Sequence, residues 1–232
     1  MPSIQLAPLI LGKRFSFVDL NPATKQETAL FTLTDELPKN NRLNDGKCDP
    51  AGRFIVGMMD IAEKEASGSV YSFDGKSATR LLDNIRISNG LTWSPDHKTF
   101  YYIDTPTREV KAFDYDVKTG QIGNKRIAIR VPESLGWPDG MTSDMQGNLW
   151  IALWGGAHVI KWNPNTGALL EKIPVPALQP SSCIFGGKNM NELFITSARK
   201  DMSEEDINKY PLSGGLFKVV TNVEGMPTFE FG

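Results

Sequence analysis

"NDGKCDPAGRFIVGMM", residues 44–59, reads as a strand, a tight Asp-Pro-Ala-Gly turn and a second strand, the pattern of a β-hairpin. Three later segments repeat it: "NGLTWSPDHKTFYYID" (89–104), "DGMTSDMQGNLWIALW" (139–154) and "SSCIFGGKNMNELFITS" (181–197). Each opens on a small polar residue and crosses a short apolar run to an Asp, Gly or Asn turn. Aromatic and β-branched residues then follow, the types that favour a pleated strand. The openings Asn44, Asn89, Asp139 and Ser181 are 45, 50 and 42 positions apart.

A second hairpin accompanies each first one. It is seen in "FSFVDLNPATKQ" (15–26), "VYSFDGKS" (70–77), "VKAFDYDVKTGQ" (110–121) and "VIKWNPNTGA" (159–168). Two hairpins per repeat make four strands in ~45 residues, the length and strand count of a propeller blade. A β-sandwich also has many short strands, but its turns would not recur with matched chemistry at this interval. The fold expected is an all-β propeller occupying residues 1–232 as a single domain. Helix is confined to one short turn in "MSEEDINKY" (202–210).

The composition excludes several function classes. The chain has 232 residues, 40% hydrophobic and 22% charged, with 25 basic against 27 acidic side chains and a net charge of −2. Nucleic acid and anionic membrane both require a concentrated basic face, so neither is an expected partner. No apolar run reaches the ~20 residues of a membrane span. The N-terminal "MPSIQLAPLILGKRF" has no basic residues ahead of its apolar stretch, unlike a signal peptide. Cys48 and Cys183 form neither a disulfide framework nor a zinc pair, which points to the reducing cytoplasm.

Equivalent places in successive blades converge on the propeller channel. Asn44, Asn89, Asp139 and Ser181 therefore stand at matched positions around it. Any one of them, taken singly, is an ordinary turn former; four oxygen-bearing side chains in phase indicate a site. Amide, carboxylate and hydroxyl oxygens suit one hard divalent cation such as Ca²⁺, Mg²⁺ or Mn²⁺. Such an ion polarises a carbonyl and acidifies bound water. Asp139 is the one carboxylate of the set, hence both ligand and proton acceptor. Arg42 offers a forked donor for a substrate hydroxyl or carboxylate.

Other motifs carry less. "DYDVKTGQIGNK" (114–125) starts like a calcium loop, but Thr119 occupies its required glycine and Lys125 its bidentate glutamate, so it reads as a hairpin turn. His97 lies in a turn and His158 at the start of an outer strand; both read as structural. No nucleophile elbow or phosphate-binding glycine loop is present. "EKEAS" (63–67) is a charged loop placed to border the channel mouth, and Trp154 is a candidate pocket wall.

"NNRLNDGKCDPAGRF", "ISNGLTWSPDHKTFYYIDT", "FDYDVKTGQI", "WPDGMTSDMQGNLWIA" and "FGGKNMNELFITSAR" together closely resemble the regucalcin/gluconolactonase family, which includes the insect luciferin-regenerating enzymes. The resemblance implies a six-bladed propeller with one divalent cation, Ca, Zn, Mn or Mg, at the channel mouth. It also implies metal-dependent hydrolysis of sugar lactones. Carried over by position, it makes Asn89 and Asp139 metal ligands, Asp139 the acid/base, and Arg42 and Asn44 substrate-binding.

Two departures from the family pattern stand out. The family's third ligand is a glutamate in a "GEGP"-like segment that these 232 residues do not contain. The chain is expected to be a shortened propeller of about four to five blades, with weak or absent lactonase activity by itself. The family's acidic substrate contact aligns with Ala62, and the adjacent Glu63 takes its place if the loop shifts by one residue. Two alternatives to a sugar lactonase are an inactive or calcium-binding regulatory paralogue and a luciferin-regenerating type of enzyme.

Overall fold

Turn residues recurring between β-branched and aromatic runs produce a series of antiparallel meanders. The computed structural model of the protein describes residues 9–34 and 37–232, and within these it contains five sheets. The first is β1 (Leu9–Lys13), β2 (Ser16–Leu20) and β3 (Glu27–Thr32). Four strands follow in the next: β4 (Asn41–Cys48), β5 (Phe54–Asp60), β6 (Gly68–Phe73) and β7 (Ala78–Ile85). The third is β8 (Ser88–Trp93), β9 (Thr99–Asp104), β10 (Glu109–Tyr115) and β11 (Ile122–Arg130). The fourth is β12 (Trp137–Ser143), β13 (Leu149–Trp154), β14 (His158–Asn163) and β15 (Ala168–Pro174). The last is β16 (Gln179–Gly186), β17 (Glu192–Ala198) and β18 (Leu216–Val220). Strand order follows chain order in every sheet, which is the all-β propeller architecture.

The two recurring hairpins have two recurring turns. In the first, Asp49 N–H donates to Arg53 O (2.8 Å) and Gly52 N–H to Asp49 O (3.0 Å). Ser94 with Thr99 and His97, and Asp144 with Asn148 and Gly147, make the same pair of bonds. The third turn residue is left-handed each time: Gly52 at φ 84°, His97 at 58° and Gly147 at 83°. His97 thus serves the backbone, in a region that histidine enters more readily than most residues. In the second turn, Asn21, Asp116 and Asn163 accept with a side-chain oxygen from the N–H groups two and three residues on. A left-handed Lys25, Gly120 or Gly167 follows. The calcium-loop look-alike at Asp114 is accordingly the turn between β10 and β11.

His158 differs from expectation. It opens β14, which pairs with β13 on one side and β15 on the other, so the strand is interior rather than outer. Its Nδ1 lies 2.6 Å from the Gly156 carbonyl. A carbonyl only accepts, so this nitrogen carries the proton. The short helix is α1 (Glu204–Lys209), capped by Ser203 Oγ accepting from Asp206 N–H. The N-terminal stretch read as lacking signal-peptide features falls, over residues 1–8, outside the described residues.

Contacts group the chain into two units, Met1–Ser88 with Phe229–Gly232, and Asn89–Thr228. The core of the first is aromatic. Phe17 stacks on Phe73 at 4.4 Å and meets Phe54 edge-on at 6.2 Å. Phe231 stacks on Phe73 at 5.6 Å, while Gly232 N–H bonds the Gly52 carbonyl, so the C-terminal residues complete this core. In the second unit Ile103, Val110, Ile151 and Ile160 close one cluster, while the alternate residues Trp150, Ala152 and Val159 face the other way and are buried too. Trp150, Phe185, Leu193 and Ile195 close another.

Candidate functional site

The first strand of a sheet is interrupted at the repeat openings Asn44, Asp139 and Ser181. Pairing of β4 with β5 jumps from Leu43 to Gly46, that of β12 with β13 from Pro138 to Met141, and that of β16 with β17 from Pro180 to Ser182. Asn44, Asp139 and Ser181 lie inside those jumps. Bulges of this kind re-aim a side chain that regular pleating would commit to the ladder. The sequence reveals the polar openings but not the bulges, because register depends on the partner strand.

In the second unit β8 and β12 run close together. A Cβ on Gly90 would sit 2.6 Å from the Asp139 carbonyl oxygen, and one on Gly140 would sit 2.3 Å from Ser182 Oγ. Only glycine permits these approaches. They set Asn89, Asp139 and Ser181 on successive first strands, as their equivalence in the repeat implied. Lower down, Thr92 Oγ1 and Ser143 Oγ lie 2.9 Å apart, and Ser143 also donates to the Trp93 carbonyl (2.9 Å).

Asn89 is buried and Asp139 half-buried. Asn89 Nδ2 donates to Thr105 Oγ1 at 2.8 Å, and Thr105 Oγ1 donates to the Pro138 carbonyl at 2.7 Å. Arg108 Nη1 donates to the Gly136 carbonyl (2.6 Å), with its guanidinium 3.5 Å above the Trp137 ring. The short 3-10 turn Thr105–Thr107 therefore grips the three residues ahead of Asp139. Thr105, Arg108 and Trp137 were missed from the sequence: they occupy no repeat-equivalent position, and only folding brings them to β12. Ser181 Oγ is 2.9 Å from Thr196 Oγ1, an outward hydroxyl pair.

In the first unit Arg42 Nη1 donates to Asn44 Oδ1 (2.6 Å) and to the Leu43 carbonyl (3.1 Å). Asn44 Nδ2 donates to the Ser88 carbonyl (2.7 Å), so the guanidinium and the amide orient one another. Asp45, beside Asn44 in the bulge, accepts from Gly46 N–H (2.9 Å). Burial pushes its carboxyl above the usual range, against the opposing pull of Lys47 and Gly46. Glu63 is exposed and left-handed at φ 61°, in a loop tied by Asp60. The Asp60 carboxylate accepts from the N–H groups of Lys64 and Glu65, which hold its pKa below the ordinary value.

Among the described residues no three His, Cys, Asp or Glu side chains gather as a metal cluster. The second unit's donors are instead an amide and a carboxylate on neighbouring strands. Hard oxygens fit a hard divalent cation chemically, and a single carboxylate fits one bound weakly. Neither cysteine is in a disulfide, and Cys183 donates its thiol proton to the Trp150 carbonyl (3.2 Å). Among the described residues no helix is long and apolar enough to cross a membrane.

Residues 4–199 match the family described as the SMP-30/Gluconolactonase/LRE-like region. Regucalcin of Oryctolagus cuniculus is 41% identical over 224 residues, covering 93% of this chain and 74% of that protein. The structure of a luciferin-regenerating enzyme superposes with a TM-score of 0.87 at 32% identity, over 99% of this chain and 79% of that one. A calcium-binding protein, regucalcin of Agrobacterium tumefaciens, gives a TM-score of 0.91 at 27% identity, over 97% and 76%.

Proposed function

The chain belongs to the SMP-30/Gluconolactonase/LRE-like family, and on that premise we propose that it is a cation-dependent hydrolase of a small lactone. The carrying observation is the bulge at Asp139, set beside the Asn89 strand by the close approach at Gly90. Asn89 and Asp139 hold the ion; when bound, it supplies Lewis-acid polarisation of the carbonyl and lowers the pKa of water. Asp139 takes a proton from the attacking water. The water oxygen bonds the lactone carbonyl carbon, the ring C–O bond breaks, and the proton passes to the departing ring oxygen to give a hydroxy acid. Arg42 and Asn44 are assigned to substrate hydroxyls by their places in the family motif, and they already bond to one another; Glu63 joins them only with a one-residue shift of its loop, because the motif position itself is Ala62.

We assign the family's six-bladed form to the fold on the strength of the family match, with five sheets among the described residues. Two cysteines outside any disulfide favour a reducing, cytoplasmic setting. The test is gluconolactone hydrolysis followed by acid release, before and after chelation and after adding back single cations. Turnover restored by the cation is expected, but weak, since the family's glutamate ligand is missing; turnover indifferent to the chelator overturns the proposal. Calcium binding without turnover is the outcome a regulatory role requires, and the calcium-binding Agrobacterium relative keeps that reading in view.

A further inference from the structure

Thr105 occupies a pivotal place, and its importance follows from counting protons. Its hydroxyl has one hydrogen and two lone pairs. The Pro138 carbonyl, 2.7 Å away, can only accept, so that hydrogen is committed to it. The hydroxyl can then meet Asn89, at 2.8 Å, only as an acceptor. The Asn89 amide must therefore turn its NH₂ towards Thr105 and its carbonyl oxygen the other way. A rotated amide would press oxygen against an oxygen with no proton to share, or take the proton and strand the Pro138 carbonyl in a buried place. Thr105 and Asn89 are both buried, at 9% and 8% exposure, so water is poorly placed to relieve either arrangement.

We propose that Thr105 is the positioning residue of the cation site, fixing Asn89 with its oxygen as the ligand atom and holding the backbone that leads to Asp139. This rests on the assignment of Asn89 and Asp139 as the ion's holders. An amide presenting NH₂ to a cation repels it, so a single misplaced hydrogen bond converts a ligand into an obstacle. The second half of the role is backbone placement. Thr105 binds Pro138, and Arg108, from the same turn, binds Gly136 and stacks on Trp137. Three consecutive residues are thereby fixed before the chain bulges at Asp139. The arrangement matches the general behaviour of outer partners, which orient a metal's direct ligands and set affinity through them.

The experiment is calcium titration calorimetry on the purified chain, paired with hydrogen exchange of the Asn89 side-chain NH₂ by NMR in the calcium-free protein. Thr105→Val keeps the shape and removes the hydroxyl; it should weaken calcium binding about 10–100-fold and speed the amide's exchange. Thr105→Ser restores the hydroxyl and should recover both. Unchanged calcium affinity in a folded Thr105→Val overturns the proposal. So does an Asn89 NH₂ in the unmodified protein that exchanges as fast as an exposed amide, a measurement that needs no variant to fold. Asp139→Asn is the control: undiminished calcium binding there overturns the cation site itself, while amide exchange still judges the Thr105 bond separately.

Discussion

Asp139 and Asp144 lie on one hairpin, five positions apart, and the fold uses them in opposite ways. Asp144 is fully buried and accepts from the N–H groups of Gln146 and Asn148, from Asn148 Nδ2 and from Trp150 Nε1. Lys161 Nζ adds an ion pair at 3.3 Å. This carboxylate is saturated by turn and strand, and its work is structural. Asp49 is the same device in the first unit, bonded to the N–H groups of Ala51 and Arg53 and to Arg53 Nε. Asp139 sits where the ladder is broken, half-buried, with the glycines at 90 and 140 easing the neighbouring strands against it. An aspartate that completes a turn stabilises the blade, whereas one placed in a bulge stands outside the regular ladder, the place proposed here for the cation ligand.

The contrast is broken most sharply by Asp139→Asn. It should lower cation-dependent lactone turnover by about 10²–10⁴-fold, the usual loss when a proton acceptor is removed. Its thermal midpoint should stay near that of the unmodified chain. Asp144→Ala should do the reverse. Removing one partner strands Lys161, which is 7% exposed, and costs about 3–5 kcal/mol in urea unfolding. Equal losses of stability in the two variants would erase the distinction.

A smaller effect is expected at Arg42, which is exposed and bonded to Asn44. Arg42→Ala should raise KM about tenfold, with kcat nearly unchanged, if the guanidinium binds the ground and transition states alike. A fall in kcat alone would give Arg42 a different role. The smallest change is at Cys48, whose thiol is raised from near 9.0 to about 11 by burial and by the Asp49 charge. The folded protein holds this proton more tightly than the unfolded chain. Its stabilising contribution is therefore complete below about pH 9 and is lost as pH rises to about 11. Urea midpoints should decline across that window, and Cys48→Ser should flatten the decline.

The sheets were legible because turn chemistry is local. Asp49, Ser94 and Asp144 open their turns, and Asn21, Asp116 and Asn163 cap theirs, through atoms only a few residues away. The polar openings Asn44, Asn89, Asp139 and Ser181 were legible for the same reason, since the repeat puts them in phase. His158 was misplaced because an interior strand and an outer one differ in their neighbours, not in their own residues. Thr105 was invisible because its two partners lie 16 and 33 positions away, and nothing in "DTPTRE" announces them.

The sequence by itself therefore determined the blade repeat, its turns and the set of oxygen donors, each a consequence of short-range spacing and side-chain type. Only the tertiary structure decided which aspartate is saturated by its turn and which lies in a bulge. It also decided which face of the Asn89 amide turns to Thr105. Strand register and hydrogen-bond partnership belong to pairs of distant segments, and a chain acquires them only when those segments meet.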